Sequence, residues 1–180
     1  MINWKAKNIY LRAVEPQDLD WIFRWENAPE QAEISNRHSP FSRAVIERYI
    51  AEAHRDIFEL GQLRLMIIES ASDRPVGHTD LFELDAFHKR VGLGLLLEPA
   101  ARGRGYAAET LALMESYVFE HLDLHQLYCQ VLIDNTDSLK LFKRRGFKEC
   151  GTRRDWVRRG NEFVDEVMMQ LLKDDWRRAV

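Results

Sequence analysis

LLLEPAARGRGYAAETLALM, residues 95–114, is the stretch from which the rest of the chain is read. An apolar run stops at Pro99, and Arg102-Gly103-Arg104-Gly105 follows. Apolar residues then recur at helical spacing through Leu111, Met114, Val118 and Leu122. Glycines let the backbone curl so that successive N–H groups point inward. A helix opening at Gly105 adds further unpaired N–H groups and a positive dipole end. Arg102 and Arg104 add formal charge. The turn is predicted to hold an anion, and a diphosphate suits it.

Two ligand classes compete for that reading. Gly103-x-Gly105-x-x-Ala108 matches the dinucleotide fingerprint. That fingerprint belongs after the first strand of a βαβ unit, with an acidic residue about 20 positions on. Here it follows strands with no helices between them, and Asp134 comes too late. An NAD-dependent oxidoreductase is therefore the minor reading. No Lys-Ser or Lys-Thr follows the glycines, so the Walker pattern is missing. The plainest alternative is a tight strand-to-helix turn with solvated arginines.

Strands are expected over 8–14, 63–69, 76–84, 90–98 and 127–133, and a closing hairpin over 147–157 and 163–171 around Arg159-Gly160-Asn161. Helices are expected after Pro16, after a Ser42 cap, over 105–121, and over 138–145, where Gly146 ends the last. The three strands from 63 to 98 read as an antiparallel meander. The order β-α-α-β-β-β-α-β-α-β-β is an α/β domain with a mixed sheet.

The 180 residues suit one domain over 1–180, and 46% hydrophobic content supplies a core. A net charge of -3 gives no general attraction to nucleic acid or anionic membrane. Cys129 and Cys150 fit no CxxC or disulfide framework, which suits a reducing, cytoplasmic setting. No signal-peptide core and no apolar run of about 20 residues is present.

Arg102-x-x-Gly105-x-Ala107 resembles the acetyl-CoA signature of the GNAT N-acetyltransferases, Gln/Arg-x-x-Gly-x-Gly/Ala. Asn135 to Phe147 resembles the family's second landmark. Leu124 to Tyr128 and Arg158 to Asp165 are similar to the branch of ribosomal-protein N-terminal acetyltransferases and bacterial spermidine (diamine) acetyltransferases. The resemblance implies the GNAT-type acyl-CoA N-acyltransferase fold: a mixed, mostly antiparallel sheet with a central strand splay, flanked by helices. It implies acetyl-CoA as co-substrate, no metal, and direct transfer in a ternary complex to a primary amine, either a protein N-terminus or a small polyamine. A homodimer is in keeping with that branch. A non-catalytic CoA- or nucleotide-binding sensor of the same fold is the alternative.

The resemblance also implies roles. The backbone of Leu95, Leu96 and Leu97 would bind pantetheine, and the N–H groups of Arg102, Gly103, Arg104, Gly105, Tyr106 and Ala107 would take the pyrophosphate. Asn135, Ser138, Phe142 and Lys143 would complete the cofactor side, although Asn135 also suits a helix N-cap. Many members protonate the leaving sulfur with a tyrosine where this chain has Phe142. Ser138 is the substitute, with Tyr128 and Tyr106 as other candidates. Glu98, Glu83 and Asp80 are candidate bases; Gln130 stands where some relatives carry a glutamate.

His78, His88, His121 and His125 show no metal-ligand spacing. His78 reads either as a structural histidine or as a wall of the acceptor site. Glu26, Glu30 and Glu33, with Asp18 and Asp20, read either as a solvated acidic face or as a site for a cationic amine. Trp21 and Trp25, one turn apart, read as core or dimer packing.

Overall fold

The alternation of apolar residues that marks the strands is resolved by one seven-stranded sheet. In the computed structural model, which describes residues 2–29 and 39–179, its strand order is β1-β2-β3-β4-β5-β7-β6. The strands are β1 (Ile9–Ala13), β2 (Leu63–Glu69), β3 (Arg74–Asp85), β4 (Arg90–Leu97), β5 (Gln126–Leu132), β6 (Lys148–Arg159) and β7 (Glu162–Leu172). β2, β3 and β4 form the expected antiparallel meander, and β1 adds antiparallel to β2. β4 and β5 are parallel, and the β6–β7 hairpin folds back so that β7 lies between β5 and β6.

Helices cover both faces. α1 (Leu19–Glu26) follows a 3-10 turn at Pro16–Asp18, and α2 (Arg43–Glu52) starts where the Ser42 hydroxyl accepts from the Val45 N–H at 3.3 Å. Ile22 and Trp25 of α1 and Ile46 and Ile50 of α2 pack on Met66 and Ile68. The opposite face carries α4 (Tyr106–Ser116), which runs on as a π-turn over Tyr117–His121, and α5 (Thr136–Arg144). There Leu65, Ile67, Val91 and Leu93 meet Leu111, Met114 and Phe142. β2 therefore buries both its faces, which is why it reads as a continuous apolar run.

Two helices were not foreseen. α3 (Ile57–Leu60) is a single turn, too short to show a period, capped by Asp56 and closed by Gly61 at φ +69°. α6 (Lys173–Ala179) continues directly from β7, and its Trp176 ring lies 5.3 Å from Phe119. The fully buried Glu115 of α4 pairs with Arg145, at 3.0 Å from Nε, and fixes the end of α5. Among the described residues, no helix is long and apolar enough to cross a membrane.

Candidate active site

β4 and β5 pair only through Arg90↔Gln126, Val91↔Leu127 and Gly92↔Tyr128. Beyond Gly92 the strands separate, and a cleft of ≈ 600 Å³ opens between them. Its walls include Leu95 and Leu96 of β4, Gln130 of β5, Asn135, Ser138 and Phe142 at α5, and His78 and Asp80 of β3.

Strand parity decides which backbone groups face the gap. Glu98 donates its N–H to the Val76 carbonyl at 3.0 Å, so Glu98/Val76 is a hydrogen-bonded pair. Alternation then makes Leu96/His78 hydrogen-bonded, while Leu97/Gly77 and Leu95/Thr79 are not. Leu95 and Leu97 direct their N–H and C=O groups into the gap; Leu96 spends its own on β3. Of the three leucines expected to offer backbone, Leu95 and Leu97 turn theirs away from β3 and Leu96 does not.

The glycine turn follows. Gly103 (φ +74°) and Gly105 (φ +83°) are left-handed, and a Cβ at either would meet nothing within 4 Å. Conformation, not crowding, requires glycine there. The N–H groups of Gly103 to Ala107 have no hydrogen-bond partner among the described residues. Arg102 departs from expectation, because its N–H goes to the Pro99 carbonyl at 3.2 Å. Its Nε donates to the Leu97 carbonyl, also at 3.2 Å. The Arg104 guanidinium turns to Glu69 at 3.2 Å, and the Tyr106 hydroxyl donates to the same carboxylate at 2.6 Å. Hydrogen bonds from Ser72 and Tyr106 hold the Glu69 carboxyl below its ordinary range. The open donors of the turn are thus backbone N–H groups.

Across the gap, the Asn135 side chain accepts from the Ser138 N–H at 3.2 Å, so it is the N-cap of α5. Ser138 is half-buried on the cleft wall. Phe142 is buried against Phe147, with ring centroids 5.0 Å apart. Lys143 pairs with Glu149 at 2.7 Å on the outer surface and does not line the cleft.

The expected bases fare differently. Glu98 pairs with Arg74, whose guanidinium lies over Trp21, and it does not line the cleft. Glu83 sits where β3 departs from regular pairing, at φ +52°, and accepts from the Tyr128 hydroxyl at 2.8 Å. Burial and Glu83 together push the Tyr128 phenol up. Neither Glu83 nor Tyr128 lines the cleft.

Of the acidic residues near α1, Asp18 and Glu26 are buried and Asp20 is exposed. Asp18 is buried under Arg12 at 2.6 Å, and Asp20 pairs with Arg43. Glu26 accepts from Arg64 at 2.6 Å. Glu30 and Glu33 lie outside the described residues.

Arg64 also donates to both Asp80 oxygens, at 2.6 and 3.2 Å, and Asp80 in turn accepts from His78 Nδ1 at 3.0 Å. Burial pushes the Asp80 carboxyl up, but Arg64, then His78, more than reverse this and hold it well below the carboxylate range. Glu26, Arg64, Asp80 and His78 form one connected set, of which His78 and Asp80 line the cleft, and sequence reasoning did not assemble it. The only available signal was the His78-x-Asp80 spacing, which puts both side chains on one strand face. No group of metal-ligating side chains occurs among the described residues.

A family model described as an acetyltransferase (GNAT) domain matches residues 8–148. The chain belongs to the GNAT acetyltransferases. This acetyltransferase is 27% identical to an uncharacterized N-acetyltransferase of Bacillus licheniformis over 95% of this chain and 96% of that one. It is 24% identical to the spermidine N(1)-acetyltransferase of Vibrio cholerae over 78% of this chain and 79% of that one. The solved structure of a Vibrio cholerae spermidine N-acetyltransferase in complex with CoA and spermine superposes with a TM-score of 0.84 at 22% identity, covering 94% of this chain and 98% of that one. The acetyltransferase therefore has the mixed sheet and central splay that the two sequence landmarks implied. It is an acetyl-CoA-dependent enzyme.

Proposed function

We propose that this chain, as a single domain over 1–180, transfers acetyl from acetyl-CoA to a cationic primary amine by direct attack in a ternary complex. One observation carries the reading. The Leu95 backbone and the Leu97 N–H, turned away from β3, lead into the unpaired N–H groups of Gly103 to Ala107. An extended amide-bearing arm can pair with the first and its pyrophosphate with the second. The bound thioester supplies the acyl carbon and a thiol leaving group. The splay then holds the acyl carbon between the α5 wall and the His78–Asp80 wall.

A small polyamine is the acceptor supported by the spermidine-acetylating relatives and by the Asp80 carboxylate on the cleft wall, with Glu26 behind it on Arg64. Thiol release tests it, with spermidine and a short basic N-terminal peptide as separate acceptors. Turnover with spermidine is expected. Turnover with the peptide alone would move the acceptor to protein N-termini. Calorimetric binding of acetyl-CoA without release on either amine would favour the sensor.

Ser138 is the cleft-wall hydroxyl nearest in sequence to the position of Phe142, which has no proton to give. We assign it to protonation of the departing sulfur, directly or through water. Ser138→Ala is expected to lower kcat roughly tenfold with the acetyl-CoA Kd unchanged, since a thiolate is a good leaving group without help. Gly105→Val is expected to do the reverse, raising KM for acetyl-CoA roughly tenfold as the strained left-handed position relaxes and turns N–H groups away. Steady-state kinetics on both variants distinguishes the two roles. Equal effects on kcat and KM in both would overturn the assignments.

A further inference from the structure

We propose that His78 is the general base of this site, with Asp80 as its positioning residue, a role that rests on the acetyltransferase reading above. β3 places His78 opposite Leu96 and Asp80 opposite Gly94, alongside the part of β4 that has left β5. Both line the cleft. The Asp80 carboxylate, held ionised by Arg64, only accepts hydrogen bonds, so the 3.0 Å contact puts the imidazole proton on Nδ1. Nε2 is then the lone-pair nitrogen. It is buried and has no hydrogen-bond partner among the described residues, an arrangement that calls for a reason.

The groups around it suit a cationic guest. Glu26 Oε1 of α1 lies 3.9 Å from Nε2, and the Trp25 ring 6.0 Å from the imidazole. Arg64 of β2 approaches Asp80 and Glu26. Tyr49 of α2 lies under Arg64, its phenol pushed up to about 12 by burial, so it does not compete as a base. Asp80 is a poor base because Arg64 holds it ionised. An ammonium placed between Glu26 and Nε2 is one proton transfer from being a nucleophile.

The step balances. The acceptor ammonium gives one proton to Nε2, and the imidazolium is stabilised by Asp80. The freed nitrogen pair forms the N–C bond to the acetyl carbon, and the C–S bond breaks with its electrons on sulfur. A second nitrogen proton passes to the thiolate, and the His78 proton leaves to solvent. The products are the N-acetyl amine, the free thiol and one proton.

The test compares wild type, His78→Gln and His78→Ala with spermidine and acetyl-CoA. We expect kcat/KM for the amine to fall at least about 100-fold, with acetyl-CoA Kd unchanged and the acid limb of the pH profile flattened. Added imidazoles should restore His78→Ala in proportion to their basicity, which a merely structural histidine would not require. In wild type, nitrogen-15 NMR should show the proton on Nδ1 and a shift of Nε2 on adding spermidine. That measurement serves even where a His78 variant does not fold. Turnover within about threefold of wild type, rescue independent of imidazole basicity, or a proton found on Nε2 would each overturn the role of His78 while leaving acetyl transfer intact. Wild type that releases no thiol with either amine overturns both readings.

Discussion

An Arg64→Met variant is expected to lose about 3–5 kcal/mol of stability at pH 7, the cost of removing one partner from a buried ion pair. Arg64 is 15% exposed and its guanidinium serves two carboxylates, Glu26 at 10% exposure and Asp80 at 24%. Methionine reproduces the stem but leaves both acids without their charge partner. The pH dependence has a definite sign. In wild type, the net effect on Asp80 is a depressed pKa, so its contribution is present above the ordinary carboxylate pKa and is lost as pH falls through the folded value. Without Arg64 the burial effect is opposed by His78 alone, so the depression is weakened. The variant's deficit is therefore largest at neutral pH and shrinks as the carboxyls protonate towards pH 4–5 (roughly the range where such groups titrate). Urea denaturation of both proteins at pH 7.5 and 5 checks this. A deficit under about 1 kcal/mol, or one independent of pH, would sink the account of the network as a buried charge cluster.

Gly77→Ala is expected to be the second severe change. A Cβ there would stand 2.0 Å from the Leu96 carbonyl oxygen and 3.0 Å from Leu97 Cα. These are backbone atoms of β4, so no rotamer relieves the contact and the strands must part beside the splay. Overpacking of this kind costs about 1–3 kcal/mol or more, which for a chain of this size lowers Tm by roughly 2–4 °C per kcal/mol. Acetyl-CoA affinity should fall as well, because the displaced segment of β4 includes Leu95 and Leu96, which line the cleft. Two controls grade the cause. Gly92→Ala meets only the Phe82 ring, at 2.3 Å, which can turn aside. Gly103→Ala meets nothing within 4 Å and bears only its left-handed φ, about 1 kcal/mol. If Gly77→Ala melted no lower than either control, the close approach of β3 to β4 would not be what the glycine serves.

The anion turn and the strand succession were legible because both rest on local physics. Glycines in the left-handed region, a helix start, and period-2 and period-3.6 patterns are written in neighbouring residues. The same locality explains the errors. The Arg104 guanidinium reads as added charge for the anion because it flanks the glycines, but Glu69, far away in sequence, takes it together with the Tyr106 hydroxyl and leaves only their backbone N–H groups open. Glu98 and Glu83 read as bases because they end or neighbour the right strands, but Arg74 and Tyr128 hold them off the cleft. Asn135 reads two ways in sequence, and its 3.2 Å contact with the Ser138 N–H makes it a cap.

By itself, then, the sequence determined the fold class, the position of the left-handed glycine turn and the absence of a phenol at Phe142. Each of these follows from residue type and short-range spacing. Only the tertiary structure decided that β4 and β5 stop pairing after Gly92, that the backbone of Leu95 and Leu97 rather than Leu96 turns away from β3, and that Glu26, Arg64, Asp80 and His78 form one linked set. Those facts depend on register between strands and on which helix covers which face. A charge finds its partner across the sheet, and no local pattern records the distance.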